Sequence, residues 1–161
     1  MAFDCFMKIK DIDGESPDEK HKKWIEVHSF SFGATQFVGA SASTAGGRSS
    51  ERVDISAVTV VKDLDKASPK IFAKCCSGEH IKEVVIELCR SSGAKQKYME
   101  YKLEDVLVES YSPSGGGGVP TEAISLNPGK ITLTYTATNA ETGKAEGNVT
   151  ANWDVTNNKG E

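Results

Sequence analysis

The sequence predicts a mainly β protein: a small barrel of about eight mostly antiparallel strands with one short α-helix and long extended loops. Three observations predict it. Short runs of alternating apolar and polar residues recur along the chain. Glycine-rich or proline-containing breaks separate several of them, notably Ser114-Gly115-Gly116-Gly117-Gly118 and Asn127-Pro128-Gly129. Only one segment carries convincing helix start and stop signals.

In chain order, Phe3 to Lys10 reads as the first strand, with Phe3, Cys5, Met7 and Ile9 on one face and Asp4, Lys8 and Lys10 on the other. Phe6 interrupts this alternation, which implies that both faces are partly covered. Asp11 to Lys22 is a polar connection. Ser16-Pro17-Asp18-Glu19 fits a capping box, but no hydrophobic stripe follows, so a structured loop is expected there. Trp24 to Gln36 reads as the second strand. Within it, the run Ser29-Phe30-Ser31-Phe32 sends the Phe residues to the core and the Ser residues to the opposite face.

The stretch Gly39-Ala40-Ser41-Ala42-Ser43-Thr44-Ala45-Gly46-Gly47-Arg48-Ser49-Ser50 has no core-forming side chain and reads as a long excursion from the barrel. Val53 to Val61 resumes β character. The helix runs from Ser68 as N-cap and Pro69 in the first turn to Gly78 at the left-handed C-terminal position. Ile71, Phe72, Cys75 and Cys76 give it an apolar stripe. Further strands follow at Val84 to Arg90, Lys97 to Tyr111, Ala123 to Asn127, Ile131 to Thr138 and Val149 to Val155.

The chain has 161 residues, 38% of them hydrophobic and 26% charged, which suits one domain over residues 1–161. The net charge is −4, and the basic clusters His21-Lys22-Lys23 and Lys95-Gln96-Lys97 are diluted by acidic and polar neighbours. Nucleic-acid binding needs a clustered basic surface, so none is expected. No apolar run approaches the ~20 residues that span a bilayer, so no direct membrane insertion is expected. The N-terminus has no basic region followed by an apolar stretch, the mark of a secretory signal. The four cysteines, Cys5, Cys75, Cys76 and Cys89, read as reduced thiols, most of them packed as small hydrophobes.

No catalytic constellation emerges. Cys76 and His80 have the spacing of a metal pair on a helix, but Gly78 should end the helix between them and no second pair of ligands follows. Neither metal nor cofactor is expected. Gly115 to Gly118 has no Gly-Lys-Ser/Thr ending and reads as a hairpin connection rather than a phosphate loop. Two other readings stand beside an assembling structural protein: a monomeric binding module or secreted effector, and an enzyme using Cys76 or His80.

The sequence resembles the Hcp family, the haemolysin-coregulated proteins of type VI secretion. The resemblance is carried by Asp4-Cys5-Phe6-Met7-Lys8-Ile9, Asp13-Gly14-Glu15-Ser16 and Ile25-Glu26-Val27 leading to Ser29-Phe30-Ser31-Phe32-Gly33. It continues through Val60 to Pro69, Cys75 to His80, Leu103 to Val108, Ile124 to Asn127 and Trp153-Asp154. It implies hexameric rings that stack head to tail into a hollow tube inside a contractile sheath. A VgrG spike and baseplate are the implied partners, and effector proteins ride in the lumen. It further implies a protein made in the bacterial cytoplasm and secreted without a signal peptide.

On that reading Ser29 and Ser31 face the lumen, and Gly39 to Ser50 reaches an adjacent ring. Pro128 departs from the family pattern, where an aromatic often follows Leu-Asn, and predicts a strand that ends at Pro128-Gly129. The end of the chain at Glu161 argues against a fused toxin domain.

Overall fold

In the computed structural model, which describes residues 2–38, 50–91 and 93–161, the chain starts with β1 (Phe3–Ile9). Cys5, Met7 and Ile9 enter the core, while Phe3 at the strand end is exposed. Phe6 is also buried, on the opposite face, because the following loop folds back and stacks His21 on it with ring centroids 4.2 Å apart. The interrupted alternation therefore does mark a strand covered on both sides. No helical turn forms at Ser16 to Glu19. The buried Ser16 hydroxyl instead accepts the Asp18 N–H at 3.2 Å. Gly14 permits the close return of this loop, since a Cβ there would lie 2.7 Å from Ile25 Cγ1.

β2 (Ile25–Val27) and β3 (Ser29–Ser31) are consecutive pieces of one extended segment, separated by His28 alone. β2 pairs antiparallel with β1, but β3 pairs with β6 (Val58–Asp63). Between them run β7 (Ile81–Arg90), β8 (Lys97–Ser114) and β9 (Thr121–Thr138), giving the order β2-β1-β7-β8-β9-β6-β3. Both ends of this path belong to the same segment, which draws the sheet round into a barrel. The His28 N–H donates to Val61 O at 2.8 Å, carrying the ladder across the change of partner. Met7, Ile25, Val60, Ile86, Leu103, Ile124 and Leu126 fill the interior.

The expected strand from Trp24 to Gln36 is therefore three strands. Its last part, β4 (Ala34–Val38), leaves the barrel and pairs with β5 (Ser50–Ile55) as a separate hairpin. The expected strand from Val53 to Val61 divides in the same way between β5 and β6. Ser50, read as the end of the small-residue loop, stands in β5 opposite Val38 because the hairpin ladder extends that far. The rest of that loop, residues 39–49, lies outside the described residues.

β9 does not end at Pro128-Gly129, contrary to expectation. Its neighbour changes there: β6 lies beside residues 121–126, and β10 (Ala145–Asp154) lies beside residues 130–138. Across from it, Val106 faces Pro128 while Asp105 adopts φ 52°. A Cβ on Gly129 would sit 3.1 Å from Asp105 Cβ, so glycine allows the close approach. Proline is tolerated at this irregularity, and the strand continues.

Helix α1 (Ser68–Ser77) ends as expected, with Gly78 left-handed at φ 66° and its N–H donating to Lys74 O. Its N-cap is Ala67 rather than Ser68, whose hydroxyl faces inward. The apolar stripe is narrower than expected. Ala67, Ile71 and Cys75 meet the barrel along one line, whereas Phe72 and Cys76 are exposed, Phe72 lying 5.7 Å from Tyr111.

Beneath the start of α1 is a buried polar knot. Lys62 and Glu122 are both fully buried. Lys62 Nζ lies 2.9 Å from Asp65 Oδ1 and 3.5 Å from Glu122 Oε2, and donates to Asp63 O at 2.9 Å. Ser68 Oγ donates to the other Glu122 oxygen. Removing one member of a buried ion pair strands the other charge. Lys62→Ala is therefore expected to destabilise the fold by about 3–5 kcal/mol in urea unfolding. The double variant Lys62→Met/Glu122→Leu should recover most of that loss. A cost below about 1 kcal/mol for the single change would show that the knot does not hold the helix.

Candidate assembly surfaces

The barrel interior takes the apolar member of each alternating pair, and this decides what the outside shows. On β3, Phe30 is half-buried and the residue after the strand, Phe32, is too; their rings lie 5.3 and 5.2 Å from Tyr101. Ser29 and Ser31 are exposed. The alternation read from the sequence is thus the alternation in the fold.

Residues paired across antiparallel strands share a face. Ser29 pairs with Val61 and Ser31 with Thr59 on β6. Thr59 pairs with Ser125 on β9, and Ser125 with Ser110 on β8. The Thr59 and Ser125 hydroxyls lie 3.4 Å apart. Beside β3, the outward face therefore carries a row of hydroxyls, Ser31, Thr59, Ser125 and Ser110, flanked on β6 by Val61 and Asp63. The sequence reading found Ser29 and Ser31 but missed Thr59, Ser110 and Ser125. The alternations Val58-Thr59-Val60 and Ile124-Ser125-Leu126 carried that signal.

A second surface is the β4–β5 hairpin. All of β4 is exposed, and Phe37 shows 71% of its surface. Arg52 anchors the hairpin by donating to Val155 O at 2.9 Å and Thr156 O at 3.3 Å. Where the hairpin leaves the barrel, Phe32, Ile55, Leu133 and Trp153 line an apolar groove of about 330 Å³. A third surface is β10. Among the described residues it pairs with β9 alone, and residues 145–151 are exposed. Such an edge offers unpaired backbone donors and acceptors.

The suspected chemistry does not assemble. Cys76 is exposed, and the ring of His80 is held at 2.6 Å by Asp105. The buried thiols are poor nucleophiles. Burial, then the neighbouring Cys89, pushes Cys5 up to about 12. Burial, then the Glu87 carboxylate, pushes Cys89 up to about 11. Another cluster that the sequence reading missed joins Asp18, His21, Glu87 and Cys89 outside β7. In it the Lys95 ammonium, then the His21 ring, holds the Asp18 carboxyl down at about 2.

Comparison with known proteins places the chain in a family. Residues 6–135 match the family described as type VI secretion system effector, Hcp. The chain belongs to the Hcp family. It is 32% identical over 161 residues to the protein Hcp1 of Pseudomonas aeruginosa, covering 98% of both chains. A solved type six secretion system protein superposes with a TM-score of 0.92 at 33% identity, over 99% of this chain and all of the other. Hcp1 from Salmonella typhimurium gives 0.82 at 30% identity, over the full length of both chains. This Hcp protein is a tube component of type VI secretion, a structural part of the system through which Hcp proteins are secreted.

The facing of β3 is testable in the isolated chain. Ser31→Asp should change the unfolding free energy by no more than about 0.5 kcal/mol, as for an exposed site. Phe30→Asp should cost several times more, because it buries a carboxylate beside Tyr101. Equal costs would refute the assigned faces.

Proposed function

We propose that this Hcp protein, folded as one domain over residues 1–161, closes into homo-hexameric rings that stack head to tail into a hollow tube. In this reading Ser29 and Ser31 face the lumen, and residues 39–50 reach an adjacent ring. The tube works with a VgrG spike, a contractile sheath and a baseplate, and its lumen carries and protects effector proteins. The chain is made in the bacterial cytoplasm and leaves through the type VI machine without a signal peptide. It acts without catalysis, nucleic acid or membrane insertion.

One observation carries the lumen assignment. The outward row of Ser29, Ser31, Thr59 and Ser125 is hydroxylic, backed by Phe30 on β3, by Phe32 just after it, and by buried Val58, Val60, Ile124 and Leu126 on β6 and β9. A face of this kind stays wetted while its backbone is held rigid by the barrel. The edge of β10, which among the described residues pairs with β9 alone, and the exposed hairpin supply contact area for neighbouring copies. No helix among the described residues is long and apolar enough to cross a membrane.

Electron microscopy and a sizing measurement test the assembly. Rings of uniform diameter with a six-copy mass are expected; a stable monomer at micromolar concentration would favour the alternative of a lone binding module. Ser31→Arg should change effector retention while rings persist, whereas ring loss would contradict the lumenal placement. Deleting residues 42–47 should shorten or abolish tubes without dissolving rings. Normal tubes from that variant would remove the stacking role.

A further inference from the structure

The loop between β1 and β2 brings chemistry-bearing side chains together on the outside of β7, away from the hydroxyl row. His21 is buried, its ring stacked on Phe6 and met edge-on by Trp24 at 4.8 Å. Its Nε2 stands 2.7 Å from Glu87 Oε2 and 3.8 Å from Cys89 Sγ. Glu87 and Cys89 are two apart on β7 and so share one face. The ligand atoms of His21, Glu87 and Cys89 all lie within 4.8 Å of one another.

We propose that these three side chains form a binding site for a zinc-type divalent cation, held by His21 Nε2, a Glu87 oxygen and the Cys89 thiolate. Nitrogen, oxygen and sulfur donors together suit Zn²⁺ and its substitute Co²⁺. Asp18 prepares the imidazole. Its Oδ2 accepts the Nδ1–H at 2.9 Å, which fixes the tautomer and leaves the Nε2 lone pair for the ion. Asp18 is itself oriented by the His21 N–H at 3.1 Å and by Lys95 Nζ at 2.8 Å.

The neighbouring Lys97 does not occupy the site. It lies 2.6 Å from Glu100 and only 3.7 Å from the outer Glu87 oxygen, leaving Oε2 turned to the imidazole. Binding displaces two protons, the one in the Nε2–Oε2 hydrogen bond, whose loss frees the Nε2 lone pair, and that of the Cys89 thiol, and both pass to solvent. Glu87 is the member that reaches water, with 15% of its side chain exposed. The ion enters there and keeps a water as its remaining ligand. Bound, it clamps the β1–β2 loop to β7 from outside the barrel.

The test uses the intact, reduced protein titrated with Co²⁺ alone, reading the thiolate-to-cobalt charge-transfer absorption and competing with Zn²⁺. A single equivalent should bind, with the band bleached by Zn²⁺. Cys89→Ser should remove the band, whereas Cys76→Ser, which alters an exposed thiol, should keep it. Asp18→Asn should keep the band and weaken affinity roughly 10–100-fold, as loss of an orienting carboxylate does. Circular dichroism accompanies each variant, and the intact protein decides the matter if His21→Gln or Cys89→Ser fails to fold. Absence of stoichiometric cobalt binding overturns the site. So does a band that survives Cys89→Ser or disappears with Cys76→Ser.

Discussion

Everything in this fold depends on one short extended segment having two partners. Residues Ile25 to Val27 complete the ladder of β1, and residues Ser29 to Ser31 complete that of β6. A sheet whose first and last places are filled by one continuous segment has little choice but to close. The backbone of His28, bonded to Val61 O, keeps the junction in register. Closure then fixes which side of every strand is inside. A slip of one residue at this seam would turn Phe30 outward and Ser29 and Ser31 inward, and would misplace the faces of the neighbouring ladder.

Closure also settles where polar groups are tolerated. Lys62 alternates onto the interior side of β6, beside the buried Val60. It is kept there by Asp65, Glu122 and the Asp63 carbonyl, all near the beginning of α1. The helix covers this end of the core with Ala67 and Ile71. Opposite-signed groups and a helix start thus share one place. A purely apolar substitute would fill the volume without tying the strand to the helix.

The parts of the fold written locally were legible. Alternation located β1 and the long strand β8 and gave the facing of Ser29 to Phe32, and the Pro69–Gly78 frame located α1. Junctions were harder to read, because a change of partner leaves no local mark. The split after Val27, the departure of β4 and the continuity of β9 through Pro128 each depend on which strand lies alongside. Ser29 and Ser31 were readable from their own run, but the row they join needed the register with β6 and β9. The His21 cluster was hidden for the same reason. His21 and Cys89 are 68 residues apart, so no spacing rule brings them together.

The hydroxyl row has a further consequence. Ser29, Ser31, Thr59 and Ser125 carry no ionisable group, although the chain as a whole has a net charge of −4. Along this row the nearest outward charge on β6 is the Asp63 carboxylate, which His28 Nε2 meets at 2.8 Å. Contacts formed with the hydroxyls are hydrogen-bonded and exchangeable with water, and salt screening has little to act upon in them. The hydroxyls themselves add no fixed charge of either sign to that row.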